Sequence, residues 1–266
     1  MTELALRPRS STEIIDLAVR LLRRHFRPMF TIAVVSVLPG LLVQLGFLLT
    51  TGGNVAASTG AGAAIGGPAN FIVGSLVLAA LVNYADDVLR TGAGDVGSAF
   101  SRAGQRLPAV LGSSLLSALA ILVGFILLVV PGVYAAVRLS TALPAVAVEG
   151  AGAVESLRRA WARGEGHVGH TFVTLLLLGL VALVFFVIIG IVATVAGVVG
   201  ALAVRGGSSG GSGVVTFVLT QVVTALVTAA LYPLYTNTLL LLAYDLRVRR
   251  EGYDVEAMAA ALGTAG

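Results

Sequence analysis

Every acidic residue, and every arginine except Arg138, lies outside six long apolar runs, and the charges gather at alternate ends of those runs. The runs are Met29–Thr50, Ala69–Ala85, Pro108–Val130, Val133–Val148, Thr171–Val204 and Val214–Ala243. Most match or exceed the roughly 20 apolar residues with which a helix crosses about 30 Å of hydrocarbon. The fourth is the shortest and is marginal for that distance. With 57% hydrophobic and 11% charged residues, the chain cannot hide its apolar surface in one soluble core, where charged residues run near about 25%. The expected fold is therefore all-α: a polytopic membrane helix bundle of six transmembrane helices plus short amphipathic interfacial helices. Its expected divisions are an amphipathic N-terminal segment at 1–28, a six-span membrane domain at 29–244 and a C-terminal tail at 245–266.

Charge asymmetry supplies an orientation. The N-terminal segment carries Arg7, Arg9, Arg20, Arg23, Arg24 and Arg27; the second connection carries Arg90, Arg102 and Arg106; the fourth carries Arg158, Arg159 and Arg163; the tail carries Arg247, Arg249 and Arg250. Under the positive-inside rule these segments face the cytoplasm. The uncharged connection 51–68, the turn at Pro131–Gly132 and the Gly/Ser-rich stretch around 206–213 face outward. Both termini are thus expected inside a bacterial cytoplasmic (inner) membrane. The first 28 residues lack the uninterrupted apolar stretch of a cleavable leader, so the first run is expected to stay as a signal anchor.

The chain contains no lysine and no cysteine, which excludes disulfide, thiolate and iron–sulfur chemistry. A pI near 10.0 would suggest nucleic acid in a soluble protein. Here the arginines sit beside membrane runs and are interleaved with carboxylates, so anionic phospholipid is the expected partner and nucleic acid is not. A homo-oligomer or an unidentified membrane-protein partner stays open.

The arginine-rich segments share a pattern: each reads as a short amphipathic helix feeding a pair of spans. Ser10 and Glu13 fit a capping box, and Ile14, Leu17, Ala18 and Leu21 make an apolar face opposite Asp16, Arg20, Arg23, Arg24 and Arg27. Val96, Ala99, Phe100 and Ala103 recur at helical spacing beside Arg102 and Arg106, and Val154, Leu157 and Trp161 beside Arg158, Arg159 and Arg163. The fifth and sixth runs exceed a bilayer's needs, so they are expected to tilt, break or pack closely at Gly190, Gly197 and Gly200, and to kink at Pro233.

Arg138 is the one charge inside a run. Counted from Pro131–Gly132 it falls about 9 Å along the fourth span from the outer end, where a cation costs roughly 2.5–3.5 kcal/mol on insertion scales. It is expected either to bind carbonyls at the nearby turn or to hold a lipid phosphate or other anion. The candidate anion or lipid-headgroup contacts are Arg138, Arg20, Arg23, Arg24, Arg27, Arg158 and Arg159. Span residues Gln44, Asn70, Asn83, Gln221 and Asn237 read as interhelical hydrogen-bond partners, and Ser113, Ser117, Ala120 and Gly124 as a close-contact stripe. Asp86 and Asp87 read as a solvated boundary. His167, His170 and Glu165 match no zinc spacing, and no phosphate loop, nucleophile elbow or dinucleotide fingerprint is present. No catalytic residue, metal ligand or cofactor is expected.

Four segments carry a family resemblance: LRPRSSTEIIDLAVRLLRRHFRPMF at 6–30, VVPGVYAAVRLSTALPAVAVEG at 129–150, AVESLRRAWARGEG at 153–166 and LLAYDLRVRREGYDVE at 241–256. Together they resemble bacterial multi-span proteins related to the membrane domain of glycerophosphoryl diester phosphodiesterases. The resembling positions include Arg138, Glu149, Tyr244, Asp245 and Arg247. In that family the domain can precede a soluble catalytic barrel of some 250 residues, which is not expected in the short stretch after the last run. The resemblance thus implies a non-enzymatic membrane protein that organises or supports a membrane process. The alternative is a small transporter or permease component with a polar crevice near Arg138.

Overall fold

The computed structural model describes the backbone of residues 8–50, 55–205 and 211–263, and among these residues there is no strand. Arg7, the outer connection at 51–54 and the Gly/Ser-rich stretch at 206–210 lie outside the described residues. The all-α expectation holds. Six stretches are long and apolar enough to cross a membrane: Phe26–Thr50, Gly66–Thr91, Leu107–Leu127, Val129–Ala147, Val168–Val195 and Val214–Arg250.

The helices form three units, each a short amphipathic helix leading into a long hairpin. Helix α1 (Ser11–Arg24) precedes α2 (Phe26–Thr50) and α3 (Val55–Thr91). Helix α4 (Val96–Gln105) precedes α5 (Leu107–Leu127) and its return, α6 (Val129–Leu139) plus α7 (Ala142–Ala147). Helix α8 (Ala153–Arg163) precedes α9 (Val168–Arg205) and α10 (Gly211–Gly263). Local chemistry starts and stops these elements. Ser10 Oγ accepts from the Glu13 amide at 3.3 Å while Glu13 accepts from the Ser10 amide at 3.1 Å, completing the expected capping box. Asp95 caps α4 by accepting from the Ser98 amide at 2.6 Å. Gly92, at φ +81°, follows the end of α3, and its amide donates to the Val88 carbonyl.

The protein core lies at the arginine-rich end. Val77, Ala79, Ala80, Leu81 and Val82 of α3 are fully buried, as are Met29 and Ile32 of α2 and Leu242 of α10. Helix α10 holds this core together by packing on α1, α2 and α3 as well as on α9. Toward the other end α5 and α9 expose large apolar side chains, among them Leu119, Leu122, Ile126, Leu180, Leu183 and Ile191. Lipid provides the apolar surroundings there, so helices need no protein partner on every face.

Several expectations change. Two of the amphipathic helices have their apolar faces on protein: Ile14 and Ala18 of α1 pack with Leu178, Leu241 and Leu242, and Ala99 and Ala103 of α4 join the main core, whereas Val154 and Trp161 of α8 are exposed. A 3.6-residue stripe reports that a face is covered and is silent about what covers it. The outer turn of the second hairpin is the single extended residue Leu128, three residues before Pro131, which sits inside the first turn of α6. Proline is tolerated in a first turn because the amide it lacks would have no helical acceptor. The return limb breaks again at Ser140–Thr141, between α6 and α7. Helix α9 runs unbroken through Gly190, Gly197 and Gly200, and α3 begins at Val55, well inside the expected outer connection. Pro233 lies within α10, which continues from the last span to Gly263 as one helix.

The small-residue stripe on α5 serves two partners. Ser113 Oγ lies 2.8 Å from Ser156 Oγ of α8, and Gly124 faces Gly132 of α6 so closely that a Cβ would stand 2.8 Å from the Gly132 Cα. Asn83 donates to the Ala99 carbonyl at 3.3 Å and Asn237 to the Ala18 carbonyl at 3.5 Å, fastening α4 and α1 to the hairpins.

Candidate functional site

Arg138 occupies the penultimate position of α6 and faces α8. The early turn at Leu128 and the break at Ser140 make α6 short, while the Ser113–Ser156 contact docks α8 against α5 above its first turn. Arg138 and Trp161 thereby meet. The Arg138 guanidinium carbon lies 4.8 Å from the Trp161 ring centroid and 5.6 Å from that of Tyr134, one turn earlier on α6. The two rings meet edge to face at 5.8 Å. Gly164 leaves room for the arginine stem, because a Cβ there would stand 3.1 Å from Arg138 Cδ. This replaces the expected position near the outer end of the fourth span: Arg138 sits beside the arginine-rich helix α8.

The side chain is 7% exposed, its Nε has no hydrogen-bond partner, and no carboxylate pairs with it among the described residues. Stacking on aromatic faces offsets part of the cost of a desolvated cation, by about 0.5–2 kcal/mol per contact. It leaves the in-plane donors of the fork unused. A buried guanidinium without an anion is the arrangement in which a phosphate or carboxylate gains most. Tyr134 and Trp161 are themselves partly exposed, giving the site an apolar rim.

Around it, carboxylates organise the other arginines. Glu149, in the connection after α7, accepts from Arg163 Nη2 at 2.5 Å and Arg159 Nη1 at 3.3 Å, and Arg247 Nη2 of α10 lies 3.4 Å from its other oxygen. Arg159 also pairs with Glu155 at 2.9 Å. Asp245 of α10, with a side chain only 1% exposed, accepts from Arg249 Nε at 2.6 Å and from the Arg9 amide at 2.7 Å. His170 Nε2 stands 3.0 Å from Asp245, an ion pair when the ring is protonated. Its Nδ1 lies 3.2 Å from Ser11 Oγ, which joins α1 to α9. Asp86 accepts from Tyr244 Oη and, at 2.8 Å, from Arg90 Nε. Asp87 pairs with Arg102 on α4. Arg106 donates to the carbonyls of Val146 and Ala147 at 3.1 and 2.8 Å, closing the end of α7.

Asp86 is thus a correction: it is 5% exposed and fastens α3 to α10, whereas a solvated boundary was expected. Its neighbour Asp87 points to a different helix, as adjacent helical positions do. The other expected arginines divide. Arg23, Arg24, Arg27 and Arg158 are exposed, Arg20 pairs with Asp16 at 2.5 Å, and Arg159 is drawn to Glu149 and Glu155. The α1 and α2 arginines are on other elements than the Arg138 site. The Glu149 and Asp245 clusters escaped the sequence reading because their members are far apart in the chain. Only the i, i+4 pairs Asp86–Arg90, Glu155–Arg159 and Asp245–Arg249 were available as local signals. Of the asparagines expected between helices, Asn83 and Asn237 do lie there.

A family model for the membrane domain of glycerophosphoryl diester phosphodiesterase matches residues 106–250, more than half of the chain. No curated protein matches, and no solved structure matches. The matched segment runs from the start of α5 into α10 and contains Arg138, Trp161, Glu149, Arg163 and Asp245. No strand occurs among the described residues, so they include no catalytic barrel. By this match, the chain belongs to the family of the membrane domain of glycerophosphoryl diester phosphodiesterase.

Proposed function

We propose that this chain is a non-catalytic membrane module that holds anionic phospholipid at its arginine-rich end and thereby supports a process at the membrane. The observation that carries the reading is Arg138: buried, stacked on Trp161 and Tyr134, and without a carboxylate partner. A lipid phosphate supplies the missing anion, and the exposed aromatic edges suit the boundary between headgroups and acyl chains. Exposed Arg23, Arg24, Arg27 and Arg158 add a diffuse attraction of about 1 kcal/mol each near an anionic leaflet. The family match concerns a membrane domain alone, which agrees with a role apart from hydrolysis.

The test compares wild type with Arg138→Lys and Arg138→Leu by native mass spectrometry and by melting in detergent. Leu should lose co-purified anionic lipid and the stacking contribution of about 0.5–2 kcal/mol. Lys should keep part of the lipid, since it retains the charge without the planar fork. If Leu left both lipid and melting unchanged, the reading would fall.

The proposed setting is the bacterial cytoplasmic membrane with the arginine-rich end inside. Because the chain has no cysteine, single introduced cysteines can report the side. Ser98 and Ser101 are both exposed on α4, and cysteines there should resist an impermeant reagent in intact cells and react after permeabilisation. Ready labelling of intact cells at both positions would reverse the orientation.

A further inference from the structure

We propose that the cleft between the C-terminal end of α8 and Arg249–Arg250 of α10 is a second, separate binding site, for a phosphate-bearing anion. The cavity has a volume of about 310 Å³ and is lined by Arg163, Glu165, Gly166, His167, Arg249 and Arg250, with Ala162 behind them. That volume is at the small end of the roughly 300–1,000 Å³ range of small-molecule sites. Arg138 is not among its walls.

Three features give the cleft its chemistry. The first is a fixed donor in want of a partner. Arg163 Nη2 is held by Glu149 at 2.5 Å, while Nη1 of the same guanidinium is buried with no hydrogen-bond partner. The planar fork is already ordered by Glu149, so an anion met by the guanidinium in the cleft costs little further side-chain entropy. The second is a concentration of guanidinium groups. Arg163 is held by Glu149 and Arg249 by Asp245, and the exposed Arg250 adds another cation at the mouth. An anion in a cleft lined by these groups is favoured over water by charge-assisted hydrogen bonds.

The third is an acceptor beside the donors. His167 Nδ1 lies 3.2 Å from the Glu165 carbonyl oxygen. In the tautomer that donates there, Nε2 accepts, which suits the hydroxyl of a protonated phosphate. The Glu165 carboxylate, also on the wall, opposes densely charged polyanions. The arrangement therefore selects a single phosphate group. Such a group can arrive free in water or as a lipid headgroup; both present the same oxygens to Arg163, His167 and Arg250.

The experiment uses the full chain in neutral detergent, titrated with inorganic phosphate by calorimetry at constant ionic strength, with chloride as the control anion. In parallel, nanodiscs of phosphatidylcholine with and without phosphatidic acid are compared by native mass spectrometry. Arg250→Gln and His167→Ala change groups at the mouth and leave the Glu149 and Asp245 clusters in place. Saturable phosphate binding weakened roughly tenfold by either variant, as loss of one charge-assisted hydrogen bond implies, assigns the site to soluble phosphate. Phosphatidic acid retention that both variants reduce, with no calorimetric phosphate response, assigns it to a lipid headgroup. In either case Arg138→Leu leaves this binding unchanged, so the cleft and the Arg138 site succeed or fail separately. Phosphate behaving as chloride does, together with no phosphatidic acid preference, overturns the proposal. So does binding that neither variant alters.

Discussion

Asp245→Ala is expected to destabilise the protein by about 3–5 kcal/mol, the usual result of removing one partner from a buried ion pair. Three groups lose their anion together: the Arg249 guanidinium, the Arg9 amide and the neighbouring His170. Arg249 also donates to the Arg9 carbonyl at 2.5 Å, so the start of α1 should loosen with it. Thermal melting in detergent reads the total effect, and amide hydrogen exchange in α1 reads its location. Asp245→Asn, which keeps an acceptor and removes the charge, should fall between wild type and Ala. An Ala variant that melts with wild type and keeps α1 protected would mean that water and headgroups replace the carboxylate without loss.

Glu149→Ala should have a comparable effect at another place. Its side chain is 15% exposed and serves Arg159, Arg163 and Arg247. Arg163 is the most enclosed of the three, at 12% exposed, so its unpaired charge accounts for most of an expected loss of about 3 kcal/mol. Arg159 has Glu155 in reserve and should contribute little. The signature is faster exchange in α8 with α1 unaffected, opposite to the Asp245 pattern. If Glu149→Ala loosened α1 and spared α8, the two clusters would not be the separate fasteners described above.

What could be read in the sequence was whatever depends on near neighbours. The apolar runs and the separation of charge from them identify the spans. Ser10 and Glu13 locate the start of α1 to the residue, because a capping box is completed within three positions. The second hairpin was harder. Pro131–Gly132 has the composition of a turn, yet proline also suits a first helical turn, and Gly132 is needed where α6 meets Phe125 and Gly124 of α5. Arg138 was marked as unusual by its place in a run. Its partner Trp161 comes from a different unit, so neither its depth nor its stacking could be counted out along the chain. Asp86 looked solvated because it ends an apolar run, and Tyr244, its partner, is 158 residues away.

Tyr244, Asp245 and Arg247 are near neighbours on α10, and each reaches a different element: Tyr244 the α3 carboxylate, Asp245 the start of α1, and Arg247 the connection between α7 and α8. At about 100° of turn per residue, these three contacts engage α10 from separate directions, like the wards of a lock around a key. A rod held in that way cannot rotate about its axis without releasing all three at once. Removal of a single residue upstream in α10 would turn every one of these side chains by about 100°, and no local adjustment at one contact would restore the others. The angular setting of this helix is therefore an all-or-none property of the bundle.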